Sequence, residues 1–356
     1  MNKNNIIGFV LIGLIMFGFT WYQAKQYEKQ AEIQAQLDSV ARVERMAEMA
    51  MDSLGIEQKD ASADFAGVKV MNLPAYKDSL LTEARLAQEG FYMLSNDKIH
   101  LEFTTRGAQP YSVRLNDYRT YDSTDLYLIK PNNSRYGISV FAGENINTKD
   151  FVFQVAEHTD TSIVMRLPFM QGGYIQQEYR LSKGSYMVEN VLSFVGMDNI
   201  IPRNVSMLDI DWSVIIPRLE KGYRNEKQYS KLDYYYDGDK KPEEIARNKD
   251  QSKRVDSRIK WFAFQQQFFS AIMTSGSEFA SADFDVRYFA EDDPSGNLMA
   301  GTAKLRADFQ AGSDNIVIPN TFYFGPNDYR TLKQYDLKYE KIIPLGGWLV
   351  GWISRF

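Results

Sequence analysis

Two aspartates that flank one isoleucine are the residues of this chain best suited to acid–base or cation chemistry. Asp209 and Asp211 fall within a strand-like run, and alternate residues of a strand point to the same face. Their carboxylates are therefore expected side by side, where they could exchange protons or bind a cation. The same spacing is typical of an ordinary solvated strand face, and the sequence favours this second interpretation.

Two further acidic clusters have the same ambiguity. Residues 157–160 (Glu-His-Thr-Asp) could form a titrating site, but the composition favours a polar hairpin turn. Residues 237–239 (Asp-Gly-Asp) start like a calcium loop but lack the ligands that such a loop needs further on, so a tight hairpin is predicted.

Histidine and cysteine are too scarce to supply the usual catalytic and metal sites. The chain has no cysteine and two histidines, His100 and His158, which are far apart in sequence. Thiol chemistry is excluded, and the chain has few of the histidines that zinc sites or serine–histidine catalysis need. The sequence therefore predicts no catalytic residue, no metal ligand and no cofactor.

The net charge argues against nucleic acid as a partner. The chain carries a net charge of −5 over 356 residues, whereas a phosphate-binding surface needs clustered lysine and arginine.

Aromatic runs at residues 234–236 (Tyr-Tyr-Tyr) and 261–264 (Trp-Phe-Ala-Phe) could line a groove for a sugar or a peptide. At strand spacing they are more often core residues, and this interpretation is favoured.

The elements that must position these residues are mostly strands. From Ile99 onward apolar and polar residues alternate, and turn clusters separate the runs. Many strands with few helices between them indicate antiparallel pairing, and two packed antiparallel sheets would cover both apolar faces. No fixed-period repeat is present, which disfavours a propeller. The main predicted strands are 99–103, 111–115, 151–155, 162–167, 174–181, 186–195, 205–216, 229–236, 260–264, 269–274, 285–290, 299–309 and 316–324.

The amino-terminal segment predicts a membrane anchor at residues 1–22. Residues 6–22 form an uncharged apolar run just long enough to span a bilayer as a helix. Trp21 and Tyr22 close the run and suit the headgroup level. A cleaved signal peptide is the alternative, but no typical cleavage site follows. The charge pattern favours a cytoplasmic amino terminus and an exported body.

Residues 23–97 are predicted to be a helical spacer and linker, with a short helix at 76–88. The run from Gln23 to Leu54 has strong helix composition, without proline or glycine. Its apolar residues fit either a short coiled coil between copies or, as favoured, a spacer that packs lightly on its own domain. These residues are Ile33, Leu37, Val40, Ala47, Met51 and Leu54.

The carboxyl-terminal segment predicts a second membrane contact. A closing helix is expected at residues 326–341, followed by an amphipathic interfacial helix at 342–356. The residues expected at the interface here are Leu345, Trp348, Leu349 and Trp352. The segment either touches the membrane or leads toward a second span.

This layout resembles the YidC family of bacterial membrane protein insertases. The long polar spacer and the residues of the motifs below resemble the Bacteroides-type branch of that family. Four stretches carry the resemblance in family order, and the ordered set is more specific than any one of them. They are 103–108 (FTTRGA) with 113–118 (VRLNDY), 261–269 (WFAFQQQFF), 322–326 (FYFGP), and 344–348 (PLGGW) with Trp352.

The resemblance implies a fold and a function. Residues 98–325 would form the large periplasmic domain, a mostly β supersandwich similar to galactose mutarotases. The family inserts and folds inner-membrane proteins, alone or beside the Sec translocon, without a cofactor. This chain would supply the anchor and the partner-binding domain, but not the insertion groove, and Arg355 is not the arginine of that groove.

The expected partners are inner-membrane lipid, nascent membrane proteins, and the Sec translocon with its accessory subunits. Two other readings stay open. One is a membrane-anchored periplasmic carbohydrate-binding or mutarotase-like protein, and the other is a coiled-coil structural anchor. Fold relationship alone does not carry function, so neither follows from the β pattern.

Overall fold

The computed structural model describes residues 76–245 and 247–343, and this part of the chain is built mainly of antiparallel strands. The helices are α1 (Ser79–Leu86), α2 (Tyr223–Tyr229) and α3 (Tyr329–Lys333), with 3-10 helices η1 (Thr148–Asp150) and η2 (Tyr339–Ile342). The first nine strands are β1 (Phe91–Ser95), β2 (Ile99–Thr104), β3 (Gln109–Arg119), β4 (Asp125–Ile129), β5 (Ser134–Phe141), β6 (Asn145–Asn147), β7 (Gln154–His158), β8 (Ser162–Pro168) and β9 (Tyr174–Leu181). The other nine are β10 (Met187–Val195), β11 (Met207–Pro217), β12 (Lys231–Tyr235), β13 (Glu243–Ile245), β14 (Gln251–Val255), β15 (Ile259–Gln265), β16 (Phe269–Tyr288), β17 (Asn297–Asp308) and β18 (Asn315–Pro326).

The strands form two sheets. A four-stranded sheet has the order β1-β2-β3-β4. The larger sheet has the path β6-β5-β11-β17-β16-β18-β10-β9-β8-β7. Strands β12 to β15 join it at one side, since β14 and β15 both pair with β16, and β12 pairs with β15 and β13.

The two sheets share one apolar core. Phe103 of β2 lies against Tyr179 of β9, with ring centroids 4.7 Å apart. The hydroxyl of Tyr179 donates a hydrogen bond of 2.8 Å to the carbonyl oxygen of Ala108, the residue just before β3. Trp212 at the centre of the large sheet packs edge-on against several phenylalanines, including Phe322 at 5.1 Å. Pairs of this geometry add to the stabilisation that burial of the rings already gives.

The prediction of a mostly β fold with two packed antiparallel sheets is confirmed. The predicted short helix at 76–88 is also confirmed, as α1. Its N-cap is Asp78, whose carboxylate accepts a 2.9 Å hydrogen bond from the backbone N–H of Leu80. The predicted anchor at 1–22 and the helical run of the spacer lie outside the described residues.

Several strands differ from the prediction, since β4, β5, β6, β13 and β14 lie outside every predicted run and β7 begins at Gln154 instead of Phe151. Strand β1 lies inside the segment predicted as spacer and linker. It was not predicted as a strand because only Leu94 of its five residues is buried, so its alternation of apolar and polar residues is weak. Strand β16 runs unbroken where two separate strands were predicted. It passes close to β18 at Gly276, where a Cβ atom would lie 2.5 Å from Cγ of Pro319. Glycine is therefore required here by the close packing of the two strands, and it does not mark a turn.

The prediction of one closing helix at 326–341 is wrong. The segment contains a five-residue α-helix (α3) and the separate 3-10 helix η2. Between them Asp336 and Lys338 have φ angles of +53° and +63°. These left-handed conformations interrupt the helix, and contacts of the segment with the sheet stabilise the break.

Candidate functional site: the docked closing segment

The closing segment, defined here as residues 327–343, follows the last strand and covers one face of the large sheet. It starts with α3, for which Asp328 is the N-cap residue, since its carboxylate accepts a 2.8 Å hydrogen bond from the backbone N–H of Thr331. Leu332 is fully buried and fixes the short helix on the domain. A helix of five residues is too short to be stable alone, so packing must hold it in place.

Trp261 of β15 anchors the turn in the middle of the segment. Its indole Nε1 donates a hydrogen bond of 2.8 Å to the backbone carbonyl oxygen of Leu337. Leu337 lies between Asp336 and Lys338, the two residues with positive φ. The strained turn therefore presents a carbonyl group to the only polar atom of a buried tryptophan side chain, which would otherwise be unsatisfied.

Tyr339 inserts its ring into the domain and is fully buried. Its ring lies 5.6 Å from that of Trp261 and 5.8 Å from that of Tyr323. Its hydroxyl shares a hydrogen bond with that of Thr274 on β16. The segment thus contributes a residue to the core of the domain and does not merely lie on the surface.

Tyr335 makes a second aromatic contact one turn earlier. Its ring packs edge-on against Tyr323 at 5.6 Å, and its hydroxyl accepts a 3.2 Å hydrogen bond from the backbone N–H of Tyr186. Burial raises the pKa of Tyr186, Tyr323 and Tyr339 above the ordinary tyrosine value. These rings stay neutral at physiological pH and act in packing and hydrogen bonding.

The end of the segment is tied to the sheet as well. The side-chain amide of Gln265, at the end of β15, donates a 3.4 Å hydrogen bond to the carbonyl oxygen of Ile342. Ile342 is 2 % exposed. The domain consequently fixes the position of the chain immediately before residues 344–356, which carry the predicted interfacial tryptophans.

The six predicted membrane-interface residues lie outside the described residues. They are Trp21, Tyr22, Leu345, Trp348, Leu349 and Trp352. Their placement stays a prediction. Among residues 76–245 and 247–343, no helix combines the length and the apolar character needed to cross a membrane.

The aspartate pair is engaged in ion pairs on an outer strand face. Asp211 lies 2.9 Å from the ammonium of Lys149, and Asp209 lies 3.5 Å from the guanidinium of Arg306. This agrees with the interpretation as a solvated strand face. Within the described part of the chain, no group of three histidine or acidic side chains is arranged to hold a metal ion.

The two histidines take part in structural contacts at β1. The ring of His100 shares a 3.1 Å hydrogen bond with the hydroxyl of Ser95, and that of His158 lies 3.0 Å from the carbonyl oxygen of Met93. Burial, with a contribution from Arg114, lowers the pKa of His100. A polar hairpin turn was predicted at residues 157–160. The hairpin is present, but Glu157 and His158 belong to β7, and Thr159 and Ser162 close the turn.

The aromatic runs are core residues, as favoured from the sequence. Tyr234 and Tyr235 of β12 pair in register with Phe262 and Trp261 of β15. The rings of Tyr235 and Trp261 stack at 5.1 Å. Asp-Gly-Asp at 237–239 forms a turn closed by a hydrogen bond from Asp239 N–H to the carbonyl of Tyr236, but it sits within a longer connection than the tight hairpin predicted.

Sequence reasoning missed two buried carboxylates. Asp233 is 0 % exposed and 3.0 Å from the ammonium of Lys231, and burial raises its pKa to about 6. Glu226 of α2 is also buried, and burial raises its pKa to about 7. The sequence signal for the Lys231–Asp233 pair was a lysine and an aspartate two residues apart in an otherwise apolar strand.

Two shallow clefts on the described surface are lined in part by charged residues. One of about 240 Å³ lies on the face of β7, β8 and β9, and Glu157, Arg166 and Glu178 line it. The other, of about 300 Å³, lies on β14, β16 and β17, with Arg254 and Asp283 in its lining. Neither contains a histidine beside a carboxylate, which mutarotase-like chemistry would need.

The sequence model of the YidC periplasmic domain family matches residues 92–356. Three relatives bear the name "Membrane protein insertase YidC", and each aligns with all of this chain. The relative from Porphyromonas gingivalis is 28 % identical over 368 residues, that from Bacteroides fragilis 29 % over 367, and that from Phocaeicola vulgatus 30 % over 370. The chain spans 57 % of the length of each of these relatives.

Solved structures with a similar strand arrangement include two related to galactose mutarotase. A galactose mutarotase-like protein from Lactobacillus casei has a TM-score of 0.42 and 8 % identity, and it covers 66 % of this chain and 100 % of its own. A galactose mutarotase related enzyme from Lactobacillus acidophilus has a TM-score of 0.41 and 10 % identity, with 66 % and 97 % covered. Overlaps of this size carry no conclusion about substrate or activity.

The family match includes nearly every described strand, the closing segment and the residues that follow it. It extends from Tyr92 in β1 to Phe356, about three-quarters of the chain. The chain therefore belongs to the YidC periplasmic domain family.

Proposed function

We propose that this chain takes part in the insertion and folding of inner-membrane proteins, alone or beside the Sec translocon. Its own part is that of an anchor and a periplasmic partner-binding domain. It performs no catalytic step and needs no cofactor. The three relatives are named as membrane protein insertases, which supports a role in membrane protein insertion. They are longer than this chain, and the proposed insertion groove belongs to the part of them that this chain does not cover.

The docked closing segment is the observation that carries this proposal. Trp261, Tyr339 and Gln265 hold the chain firmly up to Ile342. A segment built into the core fixes the direction in which the chain leaves the domain. A domain that positions a following membrane segment needs such a rigid link, because the link transmits the orientation of the domain.

The membrane contacts proposed from the sequence complete this picture. Trp21 and Tyr22 would mark one end of the anchor at residues 1–22. Leu345, Trp348, Leu349 and Trp352 would lie in the headgroup zone directly after the fixed exit at Ile343. The proposed location is the bacterial inner membrane, with residues 98–325 in the periplasm.

The proposed partners are nascent membrane proteins and the Sec translocon with its accessory subunits. The net charge of −5 gives no support for nucleic acid. A carbohydrate-processing role finds no support in the described residues, because His100 and His158 are both engaged with β1 and neither lines either of the two clefts described above.

Cross-linking in living cells tests the proposal. A photoreactive amino acid is placed at exposed positions of the full chain, and the adducts are identified after irradiation and affinity purification. We expect adducts with translocon subunits and with newly made inner-membrane proteins, and these adducts should diminish when translation is stopped. The proposal fails if the adducts match those of an unrelated anchored periplasmic protein.

A further inference from the structure

A rigid hairpin turn exposes a phenylalanine at the end of the domain from which the closing segment departs. Strands β15 and β16 are joined at residues 266–269 (Gln-Gln-Phe-Phe), which we name the hairpin tip. The backbone N–H of Gln266 donates a 2.8 Å hydrogen bond to the carbonyl oxygen of Phe269, so Gln267 and Phe268 form the turn. Phe268 is 50 % exposed. Such turns normally carry Asn, Asp or Gly.

Asn327, the first residue of the closing segment, holds the hairpin tip in place. Its side-chain amide donates hydrogen bonds of 2.9 Å to the carbonyl of Gln266 and 3.2 Å to that of Phe269. Its backbone N–H donates a 2.7 Å bond to the carbonyl of Phe268, and its side-chain oxygen accepts one from the hydroxyl of Ser270. A turn secured by four hydrogen bonds presents Phe268 in a fixed position, at little further entropic cost on binding.

The neighbouring loops extend this surface with another aromatic residue. One of these loops is residues 217–230, which contains α2. The side-chain amide of Gln266 donates a 3.1 Å hydrogen bond to the carbonyl oxygen of Pro217 at the start of this loop. The same loop accepts a 3.2 Å bond from the backbone N–H of Tyr121 at the carbonyl of Leu219. Tyr121, in the β3–β4 turn, is 58 % exposed. Two exposed aromatic rings therefore occupy turns at one end of the domain.

The charge of the same loop is opposite to that of the chain. It carries four cationic side chains and two glutamates, of which Glu226 is buried. The cationic residues are Arg218, Lys221, Arg224 and Lys227. Arg224 lies 3.6 Å from Glu291, which precedes Asp292 and Asp293 in the β16–β17 loop, so the charge at this end of the domain is mixed. The two exposed aromatic rings, and not the charge, suit the headgroup level of a membrane.

The position of the hairpin tip relative to the chain exit points to the same partner. Gln265, three residues before Phe268, bonds to the carbonyl of Ile342. Three residues of a strand span about 10 Å. Whatever surface the residues after Ile343 meet first also lies close to the hairpin tip.

We propose that the hairpin tip is a membrane-contact element, with Phe268 seated at the headgroup level of the bilayer and Tyr121 beside it. This inference rests on the proposed membrane-facing role of residues 344–356. It adds a second point of contact, on the β domain itself. Together the two contacts would fix the tilt of the domain on the membrane.

Single-cysteine labelling of the full chain tests this inference cleanly, because the chain has no cysteine of its own. An environment-sensitive fluorophore is attached to Phe268→Cys, Val317→Cys or Leu349→Cys. Each variant is reconstituted into vesicles of phosphatidylethanolamine and phosphatidylglycerol, with and without lipids carrying nitroxide quenchers. Val317 is the matched control, since it is 51 % exposed and lies nine residues before the end of β18, about 30 Å from the hairpin tip.

We expect a blue-shifted emission and strong lipid quenching at position 268, and neither at position 317. Quenching at 349 but not at 268 would overturn the inference and leave the proposed interfacial segment intact. Equal quenching at 268 and 317 would overturn it as well, because the contact would be unspecific. A blue shift at 268 that grows with protein density and is insensitive to quenchers would instead assign the surface to a second copy.

Discussion

The indole Nε1 of Trp261 donates a 2.8 Å hydrogen bond to the backbone carbonyl of Leu337, and this contact joins the sheet to the closing segment. It forms between a fully buried side chain and a turn made by two residues with positive φ. Trp261, together with Tyr339 and Gln265, therefore fixes the position at which the chain leaves the domain.

Replacing Trp261 with phenylalanine should loosen the closing segment selectively. The Trp261→Phe variant loses the hydrogen bond and part of the ring packing on Tyr339, and we expect a loss of about 2 kcal/mol of unfolding free energy. Limited trypsin digestion should cleave faster after Lys333 and Lys338. Trp212→Phe is the matched control, because Trp212 also donates an indole hydrogen bond in the core, at 3.1 Å to Ser134. That variant should lose comparable stability without selective cleavage in the closing segment, and equal patterns would contradict the account.

The left-handed turn at Lys338 should accept glycine. Lys338 has a φ of +63°, where a Cβ atom is unfavourable, so Lys338→Gly should leave stability unchanged or raise it by up to about 1 kcal/mol. Lys333→Gly in α3 should lower stability by about 1 kcal/mol, since glycine is a poor helix former. Urea unfolding of both variants distinguishes the cases. A marked destabilisation by Lys338→Gly would show that the turn is not held in this conformation.

The side chain of Asn327 should be needed for a rigid hairpin tip. In Asn327→Asp a carboxylate would face the carbonyl oxygens of Gln266 and Phe269, in place of an amide that donates to both. We expect a loss of about 2–3 kcal/mol of unfolding free energy and faster hydrogen exchange at the tip. Asn225→Ala, which removes only the longer bond to Gln267 at 3.4 Å, should change stability by less than about 0.5 kcal/mol. Wild-type exchange rates in Asn327→Asp would contradict this role.

Stability should fall as pH rises through neutrality because of Glu226. Its carboxylate accepts a 2.8 Å hydrogen bond from the backbone N–H of Leu219, but its second oxygen has no hydrogen-bond partner. Burial raises its pKa to about 7. The backbone N–H groups of Leu219 and Glu220 and the charge of Arg218 oppose this increase, while the negative charge of Glu220 adds to it. The folded state therefore holds a proton that the unfolded state releases near pH 4.5. The stabilisation is complete below that pH and is lost as pH rises through about 7.

Glu226→Gln tests this pH dependence, because it keeps the acceptor for Leu219 and removes the charge. At pH 8 the variant should be more stable than the wild type by about 1–3 kcal/mol, and at pH 5 the two should be similar. Unfolding measured between these values should show a flatter curve for the variant. A wild type whose stability does not change over that range would refute the assignment.

Much of the β architecture follows from sequence pattern, since alternation at period two reports which strand face is buried. Strands β8 to β11 match their predicted runs closely because one face of each is apolar. Strand β7 was predicted three residues too early. Phe151 and Phe153 gave the run its apolar pattern, but both rings enter the core just before the strand begins. Strand β1 was missed since its pairing with β2, and not its own pattern, defines it.

The candidate site was much harder to predict. Composition and a possible N-cap predicted one helix at the closing segment. The actual conformation depends on Trp261 and Thr274, which are more than 60 residues away in sequence. Long-range contacts of this kind select a strained turn that no local preference indicates. The motif at 261–269 signalled the right region through family resemblance, but gave no indication that Trp261 holds Leu337 or that Asn327 holds the hairpin tip.

The central claim is that the chain serves membrane protein insertion through a closing segment fixed to its β domain. The most direct test is to deplete the chain in its native cell, restore it with variants, and follow protease protection of a newly made inner-membrane protein. We expect the wild type and Trp212→Phe to restore insertion. The double variant Trp261→Ala, Tyr339→Ala, which releases the closing segment, should not restore it even at wild-type abundance. Full insertion with the double variant, or undiminished insertion after depletion, would contradict the claim.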